Sequence, residues 1–259
     1  MKRWLWMTLI PLAAIAILAV SFPRAKPASL TVGAGAGLSE VLGALARDLQ
    51  AMGLFTISCS FSSTGVVASQ VRQGAPLDLV VFPTGGGHMD NLEREGLLVP
   101  GTRCEVARDK LVLAVLADTP VRQDPWTWLA GSSVSRVALG DPQMVPAGHY
   151  AYQVLDSLGI MASLEAKLLH ARSVRQALAY LEQGEAEAAL VYSSTVRGSG
   201  RVHVMAVAPP GSHQPIVFEA AVVASSPHRE EAETLISHLT SPWAARVFEE
   251  YGFDTAGTE

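Results

Sequence analysis

The sequence predicts an α/β protein in which sheets are covered by helices on both faces, and three observations lead there. Short apolar runs of strand type alternate with helically spaced apolar segments along the chain. The joints between them are rich in Gly, Ser, Thr and Pro. Hydrophobic residues make up 49% of the 259 residues and charged ones 17%, so the chain can bury a large core and divide it into two modest domains.

The elements follow in order. Lys2 and Arg3 precede an apolar run over residues 4–20, which reads as a secretory signal, with cleavage after Ser21 giving a leader over residues 1–21. An uncleaved anchor is the other reading of that run, and no Cys follows it to take a lipid. Pro23 to Pro27 is a linker. Leu30-Thr31-Val32 is a strand, followed by Gly33-Ala34-Gly35-Ala36-Gly37 and a helix over residues 39–52, where Val41, Leu42, Leu45 and Leu49 share a face. Residues 55–61 alternate as a strand, and Ser62-Ser63-Thr64-Gly65 opens a helix. Residues 77–82 form an apolar strand interrupted by Asp78, residues 89–95 a helix, and residues 110–117 a buried strand. A strand over 136–139 leads through Gly140-Asp141-Pro142 and Val145-Pro146-Ala147-Gly148 into a helix reaching 158. Ser173-Val174 opens a helix to 183. Strands follow at 188–192, 202–207 and 217–224, and helices at 229–239 and 242–251.

Four strand-to-helix turns look alike: residues 35–39, 62–65, 146–148 and 172–174. The first N–H groups of a helix have no partner within it and carry the positive end of its dipole. Such ends, converging, hold an anion without any formal positive charge. For one turn, ordinary capping explains the same residues; four in one chain favour the anion.

Charge and motifs narrow the function. The net charge is -5 with no Lys/Arg run, which argues against nucleic acid. The run from Gly33 to Gly37 has Leu38 at the sixth position of a dinucleotide fingerprint and Gly53 where an acid belongs, so that reading fails. There is no G-x-S-x-G elbow and no H-E-x-x-H, and His88, His149 and His170 have no acid at metal-ligand spacing. His149 reads as a partly exposed residue, Trp126 and Trp128 as helix packing, and Arg175 as a solvated helix residue or a brace of the cleft. Cys59 and Cys104 lack a metal-ligand neighbour; they pair in an oxidising compartment or, on the simpler reading, are two buried thiols.

Several stretches together resemble periplasmic molybdate-binding proteins of ABC transporters. They are residues 30–38, Phe61-Ser62-Ser63-Thr64-Gly65, Gly74-Ala75-Pro76-Leu77-Asp78-Leu79, residues 140–150, Ser173 to Leu178, Ala189-Leu190-Val191-Tyr192 and residues 244–253. The Gly-Asp-Pro…Val-Pro-Ala-Gly-x-Tyr run is the most specific. The resemblance implies a two-lobed periplasmic binding protein fold (type II) with the ligand between lobes. One lobe then comprises residues 30–109 and 208–259, and the other 110–207. It implies a non-enzymatic monomer outside the cytoplasm that needs no cofactor, binds molybdate or tungstate, and passes it to a membrane permease. Ala147 and Val174 match family positions that donate backbone N–H, and Tyr192 matches one that donates a phenolic hydroxyl. Thr64 stands where the family usually has Ser. Gly37 stands at a family Ser, so one hydroxyl is lost and the backbone N–H kept. The loop Thr84-Gly85-Gly86-Gly87-His88 departs from the family pattern and is one residue longer. Sulfate, phosphate and organic anions are the competing ligands.

Overall fold

The computed structural model describes residues 28–255; the leader and its cleavage site lie outside them. The chain begins with β1 (Ala28–Gly35), α1 (Ser39–Ala51), β2 (Phe55–Ser62), α2 (Thr64–Arg72), β3 (Leu79–Pro83), α3 (His88–Arg94) and β4 (Cys104–Asp109). It then runs through β5 (Leu111–Leu116), α4 (Pro125–Ala130), β6 (Val137–Gly140), α5 (Pro146–Ser157), α6 (Met161–Leu164), β7 (Leu168–Ala171), α7 (Val174–Glu182), β8 (Ala188–Tyr192), α8 (Ser193–Val196) and β9 (Val202–Val207). β10 (Ile216–Val222), α9 (Arg229–Leu239) and α10 (Pro242–Glu250) complete it.

Two five-stranded sheets result, ordered β2-β1-β3-β10-β4 and β7-β6-β8-β5-β9. They share one plan. Three parallel strands are joined by helical crossovers, and a fourth, antiparallel strand (β10 or β5) separates them from the edge. The chain crosses from the first sheet to the second between Asp109 and Leu111, and returns between Val207 and Ile216. The central strands are buried on both faces. Leu79, Val80, Val81 and Phe82 are fully buried, as are Leu111 through Val115, which is why these two stretches read as unbroken apolar runs.

Two strands, β4 and β7, escape the sequence reading. Each is a sheet edge with mixed composition (Cys-Glu-Val-Ala-Arg-Asp and Leu-Leu-His-Ala), so neither shows a clean apolar period. β3 starts two residues later than expected. Asp78 keeps backbone bonds to Thr31 and Val223, and its carboxylate also accepts the Thr31 N–H at 2.7 Å with Oδ2 and the Ser226 hydroxyl at 2.6 Å with Oδ1, tying the start of β3 to β1 and to the C-terminal segment. Cys59 and Cys104 are unpaired and half-buried rather than buried. They sit on β2 and β4, opposite edges of one sheet. Strands lie about 4.8 Å apart, so four spacings, roughly 19 Å, exceed the reach of a disulfide. Burial pushes the Cys59 thiol up to about 11, which keeps it unreactive at neutral pH.

Candidate functional site

Four helix beginnings meet where the two sheets face each other. The 3-10 turn over Ala36–Leu38 feeds α1, Thr64 is the first residue of α2, Pro146 and Ala147 open α5, and Val174 opens α7. Gly37, Thr64, Ala147, Val174 and Tyr192 all line one cavity of about 290 Å³, mouth included, so the structure brings together all five residues singled out from the sequence. Ser62, Ser63, Pro83, Val145, Ser173 and Phe218 complete most of its wall. Among the described residues no Lys or Arg lines it. Its polarity therefore comes from backbone N–H groups in first turns, which have no partner four residues back, and from hydroxyls.

Local sequence explains how these ends are held. At α7 the Ser173 side chain accepts the Gln176 N–H at 3.1 Å, a conventional cap, and Ser173 and Val174 line the cavity. At α5 the first residue is Pro146, which has no N–H to lose, so Ala147 is the first donor. Gly148 lets this turn lie on the end of β6: a Cβ there would overlap the Gly140 carbonyl. This close approach fixes the Gly at the end of the Val-Pro-Ala-Gly run. Gly37 is not in the left-handed region, and a Cβ built on it would stand 3.3 Å from Val174 Cγ1. Its lack of a side chain opens the cavity wall and relieves no backbone strain.

Tyr192 ends β8. It is 3% exposed, and its ring packs edge-on against Phe218 at 5.5 Å. Its hydroxyl oxygen is buried and makes no hydrogen bond to any other protein group. Burial pushes the phenol well above its usual range, so it stays un-ionised and keeps a proton to donate. A buried hydroxyl without a partner is uncommon in native proteins.

Several contacts cross between the two halves near the cavity. The Gly65 N–H donates to the Met144 carbonyl at 3.1 Å, Thr84 Oγ1 meets the Tyr150 hydroxyl at 3.0 Å, and Arg175 Nη1 bonds Glu40 Oε1 at 2.6 Å. The longer Thr84–His88 loop makes the second contact. Gly86 and Gly87 have φ of 77° and 67°, and the turn they form sets Gly85 against the Tyr150 ring so closely that a Cβ would stand 2.7 Å from it. Arg175, read from sequence as a solvated helix residue or a brace, spans the rim. His149 is half-buried and bonds Gln153 at 3.0 Å, in keeping with a structural role. Sequence reading missed Phe218, which reaches the cavity on the returning strand, and it missed the Glu40 partner of Arg175. Both depend on contacts made over more than a hundred residues of chain.

The pattern of the bacterial extracellular solute-binding proteins matches residues 30–254. The chain belongs to that family. It is 31% identical over 231 residues to the putative ABC transporter substrate-binding lipoprotein YvgL of Bacillus subtilis, covering 88% of this chain and 87% of the relative. It is 31% identical over 253 residues to the molybdate-binding protein ModA of Escherichia coli, covering 96% and 97%. The periplasmic molybdate-binding protein of Azotobacter vinelandii superposes with a TM-score of 0.78 at 25% identity, over 88% of this chain and 99% of that one. The two sheets are thus those of the two-lobed binding-protein fold, and the cavity lies between the lobes. This family is one of solute-binding proteins rather than enzymes. Among the described residues no helix is long and apolar enough to cross a membrane, and no group of His, Cys, Asp or Glu is arranged to hold a metal ion.

Proposed function

We propose that this protein captures a tetrahedral oxyanion, molybdate or tungstate, outside the cytoplasm and hands it to an ABC transporter permease. The Tyr192 hydroxyl carries the reading: an un-ionised donor without a protein partner, in a cavity walled by helix N-termini and hydroxyls. The molybdate-binding relatives in E. coli and A. vinelandii support the choice of ligand. On this reading the backbone N–H groups of Gly37, Thr64, Ala147 and Val174 and the hydroxyls of Thr64 and Tyr192 hold the anion. Residues 30–109 and 208–259 form one lobe, 110–207 the other, and the protein acts as a monomer without a cofactor or enzymatic activity.

The physics is that of neutral donors in a site sheltered from water. A hydrogen bond to a charged group contributes about 1.5–3 kcal/mol, so several suffice for a dianion without a Lys or Arg. A donor ring fixed by backbone also measures size, which favours molybdate and tungstate over the smaller sulfate. A thermal-shift panel tests this. At a hundredfold excess over Kd, a true ligand stabilises by about 2.7 kcal/mol, equivalent to roughly 5–10 °C for a chain of this size. Molybdate and tungstate are expected to give that shift and sulfate and phosphate much less; a larger shift with sulfate or phosphate would replace the assigned ligand.

Two further outcomes follow from the geometry. Because the backbone at position 37 suits an ordinary residue, Gly37→Ser is expected to add a donor and tighten molybdate binding by up to about tenfold, provided the Val174 methyl gives by a few tenths of an ångström. Glu40→Gln removes the charged rim contact to Arg175. That pair is solvent-exposed and worth about 0.2–1 kcal/mol, so dissociation of molybdate in stopped flow is expected to quicken by up to about fivefold. High salt should erase the difference between parent and variant.

A further inference from the structure

Bonded to the segment that follows Tyr192 lies a carboxyl that the capture reading does not use. Asp109 ends β4, where the chain first crosses between lobes, and is 7% exposed. Its Oδ1 accepts the N–H of Lys110 at 2.7 Å and of Ser194 at 3.3 Å. Ser194 lies two residues beyond Tyr192, so Asp109 is pinned to the loop that carries the cavity's phenol. Its Oδ2 is buried and finds no hydrogen-bond partner of good geometry, although the Ser194 hydroxyl beside it favours the ionised form. The cations nearby are engaged elsewhere. Lys110 Nζ bonds Asp254 Oδ2 at 2.9 Å, and Arg108 bonds Glu105 at 2.7 Å. Asp254, facing Asp109 from the C-terminal segment, adds a like charge. His213, from the returning loop, lines the same crevice behind the crossover. The Asp109 charge helps hold the Tyr192 phenol above its usual range.

A buried carboxyl in this setting resists ionisation. Burial, with Asp254 adding to it, pushes Asp109 up to about 7, within the physiological range. The Asp109 charge already acts on the Tyr192 phenol; an oxyanion held at that hydroxyl would add two more negative charges to the field at Asp109, and a nearby like charge favours the protonated acid.

Resting on the capture reading, we propose that Asp109 is a proton-linked determinant of anion affinity: the cavity takes its oxyanion with this carboxyl protonated, and capture at alkaline pH draws one proton from solvent onto Asp109. The sign follows from linkage. The bound state raises the carboxyl's pKa, so the complex holds more protons than the free protein, and affinity falls as pH rises through neutrality. Between the free and bound pKa values each pH unit changes affinity by up to tenfold.

The test is titration calorimetry with sodium molybdate at pH 6.0, 7.0 and 8.5, in pairs of buffers that differ in ionisation enthalpy, on the parent and on Asp109→Asn. The Asn retains an acceptor for the Lys110 and Ser194 N–H groups and carries no charge. For the parent, Kd is expected to rise about tenfold from pH 6.0 to 8.5, with proton uptake at the upper end. For Asp109→Asn, Kd should match the parent at pH 6.0 within about twofold and stay flat to 8.5. A parent that binds with the same Kd at all three pH values, or a variant that keeps the parent's slope, overturns the inference and leaves the capture reading intact. The absence of binding heat in both proteins at every pH overturns capture itself, and this inference with it. Independently of ligand, the Asp109 carboxyl carbon-13 resonance of the free protein should titrate near neutrality; titration below pH 5 overturns the inference even where molybdate binds.

Discussion

Tyr192→Phe is expected to weaken molybdate binding by about five- to a hundredfold while leaving the fold intact. The ring packs against Phe218 and lies in the core, and Phe preserves that packing. Only the hydroxyl goes, and no protein group loses a partner with it. The ligand-free protein should therefore melt at the parent temperature or slightly above. In the complex the loss leaves an anion oxygen unpaired where water cannot replace the donor, which costs about 1–3 kcal/mol. Titration calorimetry reads the affinity and calorimetric melting the stability. Unchanged molybdate affinity with unchanged melting would mean that the ligand does not meet this hydroxyl, and the donor set assigned above would be wrong.

Gly148→Ala should produce the largest loss of stability of any single methyl added at the site. The new Cβ would occupy the space of the Gly140 carbonyl, and its neighbours there are backbone, which cannot swing aside as a side chain can. The start of α5 must then lift off the end of β6. Overpacking of this kind costs about 3 kcal/mol, or roughly 6–12 °C of melting temperature in a chain of this size. Because Ala147 is displaced together with Gly148, molybdate affinity should drop in parallel. Gly43→Ala is the control. Gly43 lies inside α1, where a Cβ meets nothing closer than an Arg47 guanidinium nitrogen at 3.6 Å. Relief of glycine's backbone entropy should stabilise that variant by about 0.5–1 kcal/mol. If both variants melt together, close packing at Gly148 is not what its glycine provides.

The buried central strands and the amphipathic helices were legible because their periods are local. Val41, Leu42, Leu45 and Leu49 mark the inner face of α1 from sequence alone, and all four are buried. The helix-opening turns were legible for the same reason, since Ser, Thr, Pro and Gly at a first turn follow from the chemistry of unpaired N–H groups. Two of the four edge strands were not. β2 keeps an apolar alternation and β9 is largely apolar, and both were legible, whereas β4 and β7 mix polar and apolar residues without a clean period, which removes the pattern that identifies a strand. The state of the two cysteines was also beyond the sequence, because pairing depends on which strands are neighbours in the sheet.

The sequence by itself determined an α/β chain and four helix N-termini of one character, and through resemblance it pointed to five residues for one site. Only the tertiary structure brought those five to a single cavity and decided the state of the groups around it. Tyr192 is a donor without a partner because burial removes water and leaves it no protein acceptor. Arg175 is a rim contact because Glu40 of the other lobe comes within 2.6 Å. The Asp109 carboxyl is pushed up to about 7 because it is buried, with the like charge of Asp254 adding to it. Each is a property of desolvation and of neighbours distant in the chain. Local sequence sets the period and the caps of an element, but not the dielectric or the company that its side chains meet after folding.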